Sequence, residues 1–520
     1  MSDSNGSDVE MENIEDEELV DLDAELQQTK KELETDPFNI VLNNKYISLL
    51  AKNGDFEELL EFRQKYSEWG PLNVENWITW IKDVRESGSP YDTVNEYFNR
   101  AVADCNSLNI WLERISVAAG ISVEESRRIC EDAITAIGTR YDVGGNIWIA
   151  YIDMETIYIQ TSSNEETQKK QVSRVHSIFR RALLVPTVDL KEVFTLASAF
   201  ANEFDPSFLE EYKKLYAESS KEAVNLAVIE EKLKDNDYTV FSFNDLLEYY
   251  DKKGDPGRVQ MVLERVVEKN PEVEDAWIQY GTWCEQKLKV HGVTCSVYER
   301  SVKHCPYSCP LFQQTLLAYE RAGVSEEKID QLWSNAKINC ITSADTGRAL
   351  YRTYIYLLRR RQVNAGSTDF SNVEAVFVEG ETFLKENFSQ DWDPQAQFRK
   401  NLAWFCASTS KNIVKARKTW EDILASGFGR YAAKWIEAAR LERQFGKKEH
   451  VRKILNKALN SVADNPNEIY EYYVQFEREE GSLEELDFVL EKVNSQIQHR
   501  ASRPQRKEPE PVKKQNDKHG

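Results

Sequence analysis

No run of eighteen apolar residues occurs in this 520-residue chain, so no stretch is expected to cross a bilayer as a helix. The N-terminus lacks a basic-then-apolar leader. A Walker-type phosphate loop, a GxGxxG fingerprint, an HExxH helix and a GxSxG elbow are all missing. Only six histidines are present, two of them in or beside the C-terminal tail, a thin supply for acid–base work. These absences argue against an enzyme, and no cofactor is expected. The eight cysteines are scattered singly, as in a reducing compartment. One local group, Cys284, His291, Cys295, His304, Cys305 and Cys309, has no tight CxxC pair, so no metal site is expected there. No strand pattern and no basic-Gly-aromatic-Gly RNA-recognition run appears. A net charge of −22 disfavours nonspecific binding to nucleic acid.

What the chain has is a repeated unit, clearest between Asp275 and Pro306. Trp277, Tyr280, Gly281 and Cys284 fall at i, i+3, i+4 and i+7, one apolar stripe of a helix. Val293, Val297, Tyr298 and Val302 mark a second helix, which Pro306 ends. The aromatic pair recurs as Trp77/Trp80, Trp148/Tyr151 and Tyr470/Tyr473, while Trp111 and Trp435 keep only the first ring. About 21 residues later comes a second box, with an aromatic or Leu, any residue, a basic residue and a small one. It reads Phe98-Asn99-Arg100-Ala101, Leu263-Glu264-Arg265-Val266, Tyr298-Glu299-Arg300-Ser301 and Leu455-Asn456-Lys457-Ala458, with Phe179 opening another copy. Trp77 to Trp111 is 34 residues, Trp111 to Trp148 is 37 and Trp435 to Tyr470 is 35. Such a period means stacked helix pairs, an α-solenoid, with the rings as core and the basic residue free to meet an acid on the next repeat. Asn73, Asn109 and Asn146 stand just before their tryptophans as N-cap candidates.

The order along the chain follows. Residues 1–35 read as an acidic disordered tail, with eleven Asp or Glu and no Lys or Arg in the first 29. An acidic arm for a basic partner such as histones is the alternative. Residues 36–205 form an N-terminal half of the array, 206–237 a hinge where the pattern fades, and 238–498 a C-terminal half. Together they make an all-α fold of about twelve repeats in two half-superhelices. Arg359-Arg360-Arg361 closes a helix, either as a solvated end favoured by the macrodipole or as a grip for phosphate or acid. In residues 499–520, Arg500, Arg503, Arg506, Lys507, Lys513 and Lys514 lie among prolines, a candidate nuclear localisation segment or else a solvated tail.

The boxes resemble the HAT (half-a-TPR) repeat family, as in NIWIAYIDME and VYERSV. The succession CNSLNIWLER, VHSIFRRALLVP, GDPGRVQMVLER, YLLRRR and FEREEGSLEELD is similar to that of the U4/U6 snRNP recycling factors of the squamous-cell-carcinoma-antigen type, from about Asp36 to Gln498. That resemblance implies a non-enzymatic nuclear scaffold, placed in the nucleoplasm, for spliceosomal snRNP proteins. It further implies contacts with ubiquitin-specific proteases and a homodimer through the C-terminal repeats. Those factors hold U6 RNA with downstream RNA-recognition motifs and a C-terminal Lsm-binding peptide, so any RNA contact by this chain is expected to be weak or indirect. A scaffold of 3′-end cleavage or of the crooked-neck class, and direct RNA binding along the solenoid groove, are the other readings.

Overall fold

The computed structural model describes residues 22–161 and 165–501, all helix and connecting turn, with no strand among them. The described residues divide into two compact units, the first ending at Cys340 and the second starting at Ile341.

In the first unit a leading helix α1 (22–35) precedes eight helix pairs. These are α2 (Ile40–Asn53) with α3 (Phe56–Trp69), α4 (Val74–Glu86) with α5 (Tyr91–Asp104), and α6 (Leu108–Ala119) with α7 (Val123–Ile137). Next come α8 (Gly144–Thr161) with α9 (Glu165–Leu183), and α10 (Leu190–Phe204) with α11 (Phe208–Asp235). The last three pairs are α12 (Asn244–Lys253) with α13 (Pro256–Lys269), α14 (Glu274–Trp283) with α15 (His291–His304), and α16 (Cys309–Ala322) with α17 (Glu326–Asn339). The second unit has four pairs: α18 (Ala344–Asn364) with α19 (Ser371–Phe388), α20 (Gln397–Ser408) with α21 (Ile413–Ala425), α22 (Ala432–Phe445) with α23 (Lys448–Ser461), and α24 (Pro466–Glu480) with α25 (Leu483–Ala501). Each pair is an antiparallel hairpin. The first helices of successive pairs also touch, as α2 on α4 on α6 on α8 and as α20 on α22 on α24, which is the stacking of a solenoid.

The core is the ring stripe. Trp77, Trp80, Trp111, Trp148, Tyr151, Phe179, Trp277, Tyr280, Tyr298, Trp435 and Tyr470 are all at most 6% exposed. In the 275–306 pair a ring of one helix fills a groove in the other. The small residue is on the first helix, where a Cβ on Gly281 would sit 2.2 Å from the Tyr298 ring, so the second helix supplies the ring and the first the groove. The punctuation between pairs has a polar reason. Indole N–H groups donate to the turn before their own helix: Trp148 to Gly138 O at 2.9 Å, Trp277 to Pro271 O at 2.8 Å and Trp435 to Gly429 O at 2.6 Å. A buried donor thus finds its acceptor where the chain has left the helix.

Several boundaries differ from the sequence reading. Residues 22–35, assigned there to the acidic tail, are helical; Leu26 is buried and Lys30 pairs with Glu58 at 2.8 Å. Residues 1–21 lie outside the described part. The segment 206–237, read as a hinge, contains one 28-residue helix with neither Gly nor Pro in it, and it buries Tyr212, Leu226 and Leu233. The compact units part instead at Cys340 and Ile341. Asn73 does cap its helix, accepting from Asn76 N, but Ser107 rather than Asn109 caps α6, and α8 already begins at Gly144, ahead of Asn146. Helix α25 runs to Ala501, so Arg500 is no tail residue. Its guanidinium donates to Leu459 O at 3.2 Å and Val462 O at 2.8 Å. Arg503, Arg506, Lys507, Lys513 and Lys514 lie outside the described residues.

Candidate interaction site

The basic residue of the second box does two things at once. Arg300 lies over Trp277 of its own pair, 5.5 Å from the ring centre, and its Nη2 meets Glu264 at 2.8 Å. Arg181 lies 5.2 Å over Trp148 and pairs with Glu131 at 2.7 Å; Arg265 lies over Phe243 and pairs with Glu230 at 2.5 Å. In each case the acid belongs to the preceding pair, not the following one. The guanidinium therefore covers its own repeat's ring and rivets that repeat to the one before.

A second rivet has no counterpart in the sequence reading. Glu155, Glu442 and Glu477 each stand seven residues after the first ring of their repeat and are fully buried. Each meets an arginine from the helix just before it through both carboxylate oxygens: Arg127 to Glu155 at 2.7 and 2.9 Å, Arg417 to Glu442 at 2.9 and 2.6 Å, Arg452 to Glu477 at 2.8 and 2.9 Å. Glu442 also accepts from Lys447 N at 2.9 Å, which curls the carboxylate over its own helix end. Burial opposes the Glu442 charge, yet the Arg417 pair and that backbone N–H hold its carboxyl below the ordinary range. Gly446 leaves the space, since a Cβ there would lie 1.8 Å from Glu442 Oε1. Gly481 does the same for Glu477.

Within the first unit the array also closes on itself. Residues 256–308 pack against the opening repeats, more than a hundred positions earlier in the chain. Arg140 meets Glu268 at 2.6 Å, Arg265 meets Asp142 at 3.2 Å, and Thr139 Oγ1 is 3.1 Å from Met261 Sδ. Lys303 donates to Ser67 O at 2.8 Å, and Tyr307 Oη to Asp36 at 2.8 Å. Phe38 rests edge-on to both Trp69 and Tyr307. This closure leaves a cavity of about 320 Å3 between the two sets of repeats. His304 lines it, stacked on Trp277 at 5.4 Å, and burial beside Arg300 and Lys303 lowers its pKa to about 4, so the ring is neutral at pH 7.

The second unit has its own open concavity of about 890 Å3 along α22 and α24, where Arg440 and Arg478 face Glu437, Glu468 and Glu471. Its mixed charge and open form suit a polypeptide surface better than a reacting group. Arg359, Arg360 and Arg361 end the α18 region in this same unit.

The local Cys and His group does not act together: His291 is exposed, His304 stacks on Trp277, and the four cysteines are buried in the packing. Cys284 is buried in the stripe, Cys295 Sγ donates to Ala318 O at 3.4 Å, and Cys305 Sγ to Pro271 O at 3.5 Å. Burial pushes the Cys305 thiol up to about 12. Among the described residues no group of three or more metal-ligating side chains converges.

Comparison with known proteins follows this geometry. The profile of the Suppressor of forked protein (Suf) family matches residues 24–244. Spliceosome associated factor 3, U4/U6 recycling protein, of Caenorhabditis elegans is 46% identical over 99% of this chain and 63% of its own length. The protein of that name in Homo sapiens is 28% identical over 91% of this chain and 50% of its own. Pre-mRNA-splicing factor cwf4 of Schizosaccharomyces pombe is 21% identical over 61% of this chain and 40% of its own. The chain thus spans between half and two thirds of the length of the first two relatives. With twelve helix pairs among the described residues, its ring-and-arginine boxes and this similarity over nearly its whole length, the chain is an α-solenoid similar to the spliceosome associated factor 3 proteins.

Proposed function

We infer that this chain is a non-enzymatic scaffold of pre-mRNA splicing, which gathers spliceosomal snRNP proteins during U4/U6 assembly and recycling in the nucleus. The observation that carries this reading is the 46% identity, across 99% of the chain, to a U4/U6 recycling protein. The structure supplies a physical reason. Rings, arginines and buried glutamates are used up in holding neighbouring pairs together, so the solvent-facing helix surfaces are what partners can meet. Binding by area and charge complementarity is what such a rigid, repeated surface offers. Homodimerisation through residues 238–498 and contacts with ubiquitin-specific proteases belong to the same proposal, resting on the family resemblance, and contact with histones rests on the acidic N-terminal segment.

The test is affinity capture from nuclear extract with the full chain as bait, with and without ribonuclease. Recovery of U4/U6 snRNP proteins that survives ribonuclease supports a protein scaffold. Recovery of 3′-end cleavage factors instead would move the assignment to the other HAT class, and loss of all snRNP proteins on ribonuclease treatment would favour direct RNA binding.

A further inference from the structure

The concavity of the second unit is charged at both ends and apolar between them. Glu468 and Glu471 stand on the first two turns of α24, while Arg440 and Arg478 stand toward the C-terminal ends of α22 and α24, all four exposed. The acidic and basic ends lie roughly 15 Å apart, given the rise of a helix. None of the four makes an ion pair with a described residue, and Arg440 rests only over the Tyr472 ring, 5.8 Å from its centre. Glu437, beside Arg440 on α22, is by contrast held by Lys400 at 2.9 Å. Ile436, Val474 and Val493 supply the apolar stretch. Tyr470 adds an orphan. It takes the first-ring place that Trp435 holds in the pair before, where the indole N–H donates to Gly429 O at 2.6 Å. The Tyr470 side chain is 6% exposed and lines the concavity, yet its hydroxyl has no partner. A buried hydroxyl left without a bond costs stability that a bound acceptor would return.

We propose that this concavity takes one amphipathic helix of a partner protein, lying antiparallel to α22 and α24. Acids in the first turn of that helix meet Arg440 and Arg478, and bases in its last turn meet Glu468 and Glu471. The same order of charge suits the dipole of the incoming helix. Its apolar face covers Ile436 and Val474, and the free carbonyls of its last turn offer Tyr470 an acceptor. The chain's own last helix does not fit the role. Although α25 opens with Glu484 and Glu485 and exposes Phe488 and Ile497, its Arg500 is bonded to Leu459 O and Val462 O, and Glu485 is paired with Arg452. Such a site rests on the scaffold reading and gives one of its surfaces a class of partner.

The experiment uses the full chain and capped, fluorescein-labelled peptides of about four helical turns, followed by anisotropy. One carries Asp-Glu in its first turn, a leucine stripe and Lys-Arg in its last; a second has glutamine at the four charged places; a third is the first with a central proline. The first should bind saturably, and the other two at least tenfold more weakly. Arg440→Glu with Arg478→Glu, both at the surface, should weaken the first peptide at least tenfold with an unchanged melting curve. The same double variant should regain binding to a peptide with Lys-Arg in its first turn, and Tyr470→Phe should weaken the first peptide severalfold. Equal binding of the glutamine or the proline peptide would overturn the proposal, as would binding that none of these substitutions alters. So would a mass in light scattering that halves in the arginine double variant, since the concavity would then belong to a second copy. The peptides contain no snRNP sequence, so failure here is distinct from failure of the capture from nuclear extract.

Discussion

Replacing Glu442 with glutamine removes one charge and almost no volume, and so isolates the buried rivet. The carboxylate is 1% exposed, accepts two N–H groups of Arg417 and one from Lys447, and faces a guanidinium whose side chain is 26% exposed. Breaking a buried pair from one side costs about 3–5 kcal/mol, because the remaining charge is stranded. Arg417 keeps some water, and glutamine keeps one acceptor oxygen, so a loss of about 2–3 kcal/mol is expected here. A solenoid of this length need not unfold in one step, so hydrogen exchange is the better assay. Amides of α22 and α23 should lose protection by roughly 30- to 150-fold at pH 7 if local opening governs exchange. The sign with pH follows from the depressed carboxyl. Its stabilisation is fully present above the ordinary value of 4.5 and vanishes as pH falls through the lower folded value, so the gap between wild type and Glu442→Gln should shrink in acid. Adding Arg417→Met should recover part of the loss, since no unpaired charge then remains. Protection in Glu442→Gln within threefold of wild type would refute the reasoning.

Other predictions follow from the same packing. Trp277→Ala should cost about 3–5 kcal/mol by opening a cavity between α14 and α15 and removing the indole N–H from Pro271 O; an unchanged melting curve would count against a buried ring. Gly446→Ala should destabilise by about 1–3 kcal/mol, because its methyl meets Glu442 Oε1 and also the Glu442 carbonyl at 2.9 Å, and thermal melting checks it. The double variant Thr139→Cys/Met261→Cys should form an intramolecular disulfide under mild oxidation, seen as a gel shift, since the two side chains touch across 122 positions of sequence. Light scattering on the full chain at micromolar concentration should report twice the 60.2 kDa chain mass if the proposed dimer forms, and the single mass if it does not.

The ring stripe was legible because large aromatics at a period near 35 have few uses besides packing, and Trp77, Trp148 and Trp277 declare it without help. The buried Glu155, Glu442 and Glu477 were not. A lone glutamate on a charged helix reads as solvated, and only its fixed place seven residues after the ring, with an arginine 25 to 28 residues earlier, distinguishes it. Helix α11 hid for a related reason. Its rings are confined to its first turns, where Phe208, Tyr212 and Tyr216 pack on α9 and α10, so a pattern that weakens after them looked like a hinge although nothing in Phe208–Asp235 breaks a helix. The closure of the first unit has no local signature at all. Arg140, Lys303 and Tyr307 find partners only because the accumulated turn between pairs brings distant repeats together, and no window of sequence contains that sum.

The most direct measurement is crosslinking with mass spectrometry on the full chain in nuclear extract. A splicing scaffold predicts crosslinks from exposed lysines, Lys418 and Lys453 among them, to U4/U6 snRNP proteins, unchanged after ribonuclease. Crosslinks confined to other RNA-processing complexes, or none to snRNP proteins at all, would contradict it.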